Sequence, residues 1–117
     1  MRLSSVAAGF VAAACVISFG VSGVSAQDAK AIYAKECAKC HGDAGAGDGA
    51  MGQKLKDKPS NWTAAGGGLK DMDDAKIADA IKKGGKGIGK SAAMPAYPKL
   101  SDDEVKALVA QVKSLKK

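Results

Sequence analysis

The stretch Cys37-Ala38-Lys39-Cys40-His41 constrains this chain more than any other. It reads C-x-x-C-H, the attachment sequence of a c-type haem. Two thiols at that spacing add across the two vinyl groups of one porphyrin. The residue that follows offers an imidazole to the iron from one face. The thioethers are covalent, so haem c and its iron stay with even a very small domain. His41 is the only histidine, and Cys37 and Cys40 are the only cysteines outside the N-terminal apolar stretch that holds Cys15. Two other readings compete. A thioredoxin-like redox pair needs a strand before it and a βαβ context, and the sequence shows neither. A zinc site needs four protein ligands, and no fourth thiol or imidazole stands outside that apolar stretch.

The chain begins like an exported protein. Arg2 is a short basic start, an apolar run extends from Val6 to about Phe19, and Val24-Ser25-Ala26 fits the small-x-small cleavage pattern. Residues 1–26 are expected to be a secretory signal peptide and residues 27–117 the functional domain, beginning at Gln27. Two alternatives are an uncleaved anchor, since Val6–Val24 is just long enough to span a bilayer, and a lipoprotein built on Cys15. The Gly and Ser interruptions and the small-residue site favour cleavage. Membrane contact is expected only if the segment is retained.

Residues 27–117 make one small domain that would be marginal on its own apolar core. It holds one Trp and two Tyr, and both Phe lie in the leader. A haem is a large apolar body, and burying it supplies the missing core. Poor aromatic content therefore points to a cofactor-centred fold. The formal charge of the whole chain is +6, nearly all of it lysine, which suits solubility and the steering of partners. A nucleic-acid role is excluded by the lack of a base-stacking aromatic series and of any Arg after Arg2.

The periodicity is helical throughout. Asp28–Glu36 reads as a helix running into the haem motif, with Ala29, Ile32 and Tyr33 on one face. Asp71, Asp73 and Asp74 open a second helix and Lys82 and Lys83 close it, matching the macrodipole. Ile77, Ala78 and Ile81 form its apolar stripe, and Gly84 is its stop. Ser101-Asp-Asp-Glu104 is a capping box, followed by Val105, Leu108, Val109, Val112 and Leu115 at helical spacing. No segment alternates like a half-buried strand, and there is no internal repeat.

Two Gly-rich stretches imitate nucleotide motifs. Gly47-Asp-Gly-Ala-Met-Gly52 matches G-x-G-x-x-G, but the haem motif precedes it where a strand is required. Gly84–Ser91 matches the P-loop, but it follows a helix, and Pro95 and Pro98 break the helix that should come next. The plainer role of these glycines is close passage past a flat porphyrin and tight turns.

His41 fills one axial position of the iron. For the other the chain offers a Met thioether, a Lys amine or a vacancy. Met51 follows His41 closely on a glycine loop, and Met72 lies at a helix start. Met94 sits in Ser91-Ala-Ala-Met-Pro-Ala-Tyr-Pro98, a connection stiffened by Pro95 and Pro98. A Met there is well placed to close over the second face; the competing role is core filling.

The haem motif near a helix start, Met94-Pro95-Ala96-Tyr97 late in the chain and a capped last helix together resemble a class I c-type cytochrome, more narrowly the small single-haem electron carriers of bacterial periplasms. The resemblance covers essentially all of residues 27–117. It implies an all-α fold around one haem with the first and last helices crossing, and Ala29 and Tyr33 match the small-x-x-x-aromatic pattern of that crossing. Gln111 departs from it, since the family often has an aromatic in the last helix. It implies attachment of haem outside the cytoplasm, hence a periplasmic protein. It also implies a Pro carbonyl bonded to the axial imidazole, a role that falls to Pro59. Trp62 has two readings, an indole N–H on a haem propionate or plain core.

The function implied is single-electron transfer with His41 and Met94 as axial ligands, and not enzymatic catalysis. No small-molecule substrate is expected, and the protein is expected to be a monomer. Redox proteins would serve as donor and acceptor, with acidic surfaces meeting Lys82, Lys83, Lys86, Lys90 and Lys99 around the Met94 loop; the alternative for these lysines is an ordinary solvated face. Two rival functions are a permanently bound cytochrome subunit of a larger redox enzyme and a gas-binding or sensor haem with a weak sixth ligand. A two-haem peroxidase needs a second C-x-x-C-H, and the chain has one.

Overall fold

The computed structural model describes residues 9, 23–65 and 67–116. Of the leader expected over residues 1–26, only Gly9 and residues 23–26 fall within that range; Cys15 and nearly all of the apolar run lie outside the described residues. No helix among the described residues is long and apolar enough to cross a membrane.

Helix α1 (Ala26–Ile32) opens on a capping box. The Ser25 hydroxyl accepts from the Asp28 N–H at 3.1 Å, and the Asp28 carboxylate accepts from the Ser25 N–H at 3.0 Å. The helix widens into one π-turn over Tyr33–Cys37 and resumes as α2 (Ala38–His41). The first helix thus starts earlier than the periodicity predicts and continues through the whole haem motif. A single 3₁₀ turn follows at Gly52–Lys54.

Helix α3 (Asp74–Gly87) is capped by Asp73, whose side chain accepts from the Lys76 N–H at 2.8 Å. Gly84 interrupts it with φ 73° and ψ 177°, a region only glycine enters without strain. The chain then makes a last turn through Gly87, so Gly84 ends the regular helix but not the helical path. Helix α4 (Asp102–Leu115) carries the predicted box, with Ser101 accepting from the Glu104 N–H at 3.1 Å and Glu104 accepting from the Ser101 N–H at 3.0 Å.

Helix α4 packs against both α1 and α3. Val105, Leu108, Val109 and Val112 are buried, and Leu115 is half-buried at the end of the same stripe. They meet Ala29 and Tyr33 from the first helix and Ile77 and Ile81 from the third. Ala78 is only half-buried, and Ala80 is buried beside Ile81. Gln111, the departure from the aromatic that the resemblance often carries in the last helix, is half-buried; the crossing is filled by aliphatic side chains and the Tyr33 ring. No strand occurs among the described residues. The fold is the all-α one expected, with first and last helices packed together.

Candidate functional site

One cavity of about 450 Å³ collects the chemistry-bearing side chains, a volume within the ordinary range for small-molecule sites. Its lining comes from residues 36–41, from residues 55–60 and from residues 85–97. Cys37, Cys40, His41, Pro59 and Met94 all stand in it. Met51 and Met72 do not: Met51 is 56% exposed, and Met72 packs against the helical core.

The π-turn explains how the haem motif reaches this cavity. The residues facing the core are Ala29, Tyr33 and then Ala38. The last step is a π step, in which the Ala38 N–H donates to the Tyr33 carbonyl. A regular α-helix would have put Cys37 on the core face, four residues after Tyr33. The inserted residue turns Ala38 inward instead, and Cys37, Cys40 and His41, at i, i+3 and i+4, share the neighbouring face. Nothing in the residue pattern shows the extra residue except the core spacing itself. The buried Tyr33 hydroxyl donates to the Gly42 carbonyl at 2.7 Å and closes the end of α2.

Backbone packs directly beneath α2. A Cβ on Gly49 would lie 2.5 Å from the Lys39 carbonyl oxygen, and one on Gly52 would collide with the Cys40 carbonyl. The glycines of the G-x-G-x-x-G look-alike therefore let the chain press on the haem-motif helix; neither Gly49 nor Gly52 lines the cavity. Gly85, from the P-loop look-alike, does.

The His41 ring stacks on Trp62, with centroids 4.4 Å apart and planes 25° from parallel. Trp62 is buried, held by its backbone N–H, which donates to the Gly45 carbonyl at 2.8 Å, and is absent from the cavity lining. Burial lowers the pKa of His41 and so keeps the imidazole neutral, the form that binds metal. Its Nδ1 is buried and has no hydrogen-bond partner among the described residues.

Burial, with Glu36 next, pushes the Cys37 thiol up to about 11. That is a poor thiolate, the opposite of a reactive redox cysteine. Cys37 and Cys40 are free and half-buried. Among the described residues no group of three or more His, Cys, Asp and Glu side chains is placed to hold a metal ion. The donor set fits a haem on these grounds. Two thiols, one neutral imidazole with an orphaned second nitrogen and one thioether converge on a single, largely apolar cavity.

The lysines divide. Lys82 is paired with Asp102, and Lys83 with Asp79 at 3.3 Å. Lys86 and Lys99 are exposed, and Lys90 is exposed in the cavity lining. Lys39 and Lys58 are also exposed in that lining, and sequence reasoning passed over both. Lys39 sits inside the haem motif, which was the available signal.

A family model described as cytochrome C oxidase, cbb3-type, subunit III matches residues 24–111. No curated protein and no solved structure matches the chain.

Proposed function

The chain belongs to the cytochrome C oxidase, cbb3-type, subunit III family, and from that premise we propose that it is a single-electron carrier with His41 and Met94 as axial ligands. Membership makes it a c-type cytochrome with covalently bound haem c and iron, working by haem-based electron transfer with redox partners. The finer reading is supported above all by one observation, the convergence of Cys37, Cys40, His41 and Met94 on a single cavity.

When bound, the haem supplies an iron that takes up and gives back one electron between its ferric and ferrous states. Cys37 and Cys40 hold it covalently. His41 is oriented by stacking on Trp62, and we assign Trp62 this bracing role rather than a propionate bond. Pro59 lines the same cavity, and we assign its carbonyl as the acceptor for the orphaned Nδ1, which would fix the ring further. Met94 would serve as a neutral soft ligand that favours ferrous iron and a positive potential, and as such would shut out small molecules. The protein acts as a monomer in the bacterial periplasm after removal of residues 1–26. Its partners present acidic surfaces to the lysines around the cavity, which steer encounter.

The test is the long-wavelength iron–sulfur charge-transfer band of the oxidised protein, recorded with an intact mass. The mass should include one haem that acid-acetone does not extract. Met94→Ala should abolish the band and let carbon monoxide bind the reduced protein, while Met51→Ala and Met72→Ala keep it. Loss of the band in Met51→Ala or Met72→Ala with retention in Met94→Ala would reverse the ligand assignment.

The family description names an oxidase subunit, and this favours a second reading, a cytochrome held permanently in a larger redox enzyme. Co-purification with other subunits at fixed stoichiometry would establish it in place of the mobile carrier.

A further inference from the structure

The cavity is built by two parts of the chain that pack together through α1 and α4 but share little hydrogen bonding. Residues 25–60 carry Cys37, Cys40 and His41, and residues 74–116 carry Met94. Among the described residues a single hydrogen bond runs between these two stretches, from the Tyr97 hydroxyl to the Glu36 carbonyl at 3.2 Å. Glu36 lies in the π-turn immediately before Cys37.

The connection that holds Met94 is pinned to its own side by backbone. The Gly85 N–H donates to the Met94 carbonyl at 3.1 Å, and the Tyr97 N–H donates to the Ile81 carbonyl at 2.9 Å. Gly84 allows this approach, since a Cβ there would stand 2.8 Å from the Met94 carbonyl oxygen. Met94 and Tyr97 thus move with α3. The hydroxyl of Tyr97 reaches the haem-motif side at the Glu36 carbonyl, and both residues line the cavity.

We propose that Tyr97 is a positioning residue for Met94: by donating to the Glu36 carbonyl it ties the connection that carries Met94 to the turn that carries Cys37. A thioether is a weak ligand for ferric iron, so its hold depends on how often the connection swings away. A tether that lowers the swung-away population lowers the apparent affinity of any competing ligand in proportion. This inference rests on the proposed ligation by Met94.

The probe is imidazole, added to the ferric holoprotein and followed by loss of the long-wavelength band, with global unfolding followed separately by far-ultraviolet circular dichroism. Tyr97→Phe keeps the ring and the backbone bonds and removes only the O–H. At 3.2 Å the bond is long for an O–H···O pair, so the lower end of the usual contribution applies, and the apparent association constant should rise about threefold. Tyr33→Phe is the control. It removes a shorter, buried bond that stays on the haem-motif side, so it should lower global stability while leaving imidazole affinity as in the native protein. Equal affinities for native and Tyr97→Phe would overturn the proposal, as would an equal rise in Tyr33→Phe. Failure of Tyr97→Phe to fold would overturn it too, by making the hydroxyl a requirement of the fold and not of the ligand. A Met94→Ala variant with native imidazole affinity would instead remove the premise of Met94 ligation, whatever Tyr97→Phe does.

Discussion

Helix α4 and the connection over residues 88–100 that leads into it are neighbours in sequence and keep their shape by different means. Helix α4 is specified locally. It has a reciprocal cap at Ser101 and Glu104, and its buried stripe rests on two other helices. The connection has no regular structure apart from turns, and its middle is held at points: Gly85, Ile81 and Glu36. The difference teaches where stability and function reside. The frame stands on its own contacts, whereas the segment that completes the cavity is the one with least holding it, as expected of ligand-binding segments in general.

The comparison predicts that damage to the frame and damage to the connection will show in different signals. Leu108 is 1% exposed, so Leu108→Ala should cost about 2–5 kcal/mol in denaturant unfolding. The band assigned to the proposed Met94 ligand should then disappear together with helicity, in one transition; a band lost well before helicity would break the distinction. Gly84→Ala forces a side chain into a glycine-only conformation against the Met94 carbonyl, at about 1–3 kcal/mol. Here the band should weaken before helicity is lost, because the strain falls on the connection. Ser101→Ala removes the α4 cap and should lower stability by about 1 kcal/mol with the band unchanged in the folded protein.

The smallest effect is one of pH. The Ser25 backbone N–H, then its hydroxyl, hold the Asp28 carboxyl below its ordinary value. A depressed carboxyl contributes stability that is complete above its unfolded pKa, about 3.9, and is lost as pH falls through the folded value. The uncut chain, which keeps Ser25, should therefore unfold at a slightly higher temperature than its Asp28→Asn variant at about pH 6, and the two should converge at about pH 2. A gap that widens in acid would give the cap no part in holding α1.

What could be read in the sequence follows the same division. Helix α4 was fully legible, because a capping box and an i, i+3, i+4 stripe are local signals. The attachment motif was legible for the same reason, and Met94 was singled out by its rigid Pro-flanked setting. The π-turn was not, since nothing in Tyr33–Cys37 favours an extra residue locally; the need arises from burying Ala38 in place of Cys37. The reach of Tyr97 to Glu36 crosses most of the domain and leaves no mark in either residue's neighbourhood. Gly84 was read as a helix stop, and its second role appears only when Met94 is laid against it. The stacking of Trp62 on His41 likewise depends on a turn at Gly45 that fixes the Trp62 backbone.

Under the proposed removal of residues 1–26, the cap at Ser25 sets export against folding. The pattern Val24-Ser25-Ala26, the proposed processing site, also holds the capping residue and the first residue of α1. A protease that reads an extended strand and a helix that begins at Ala26 would compete for the same backbone, so the proposed cut would have to come before this helix closes. Cut there, the domain would forfeit its cap. A new amino terminus at Gln27 would set a positive charge at the end of α1 where the dipole disfavours it. Asp28, relieved of Ser25, is then the nearest carboxylate in sequence to answer that charge, and closure of Gln27 to a neutral pyroglutamyl ring would remove the charge altogether.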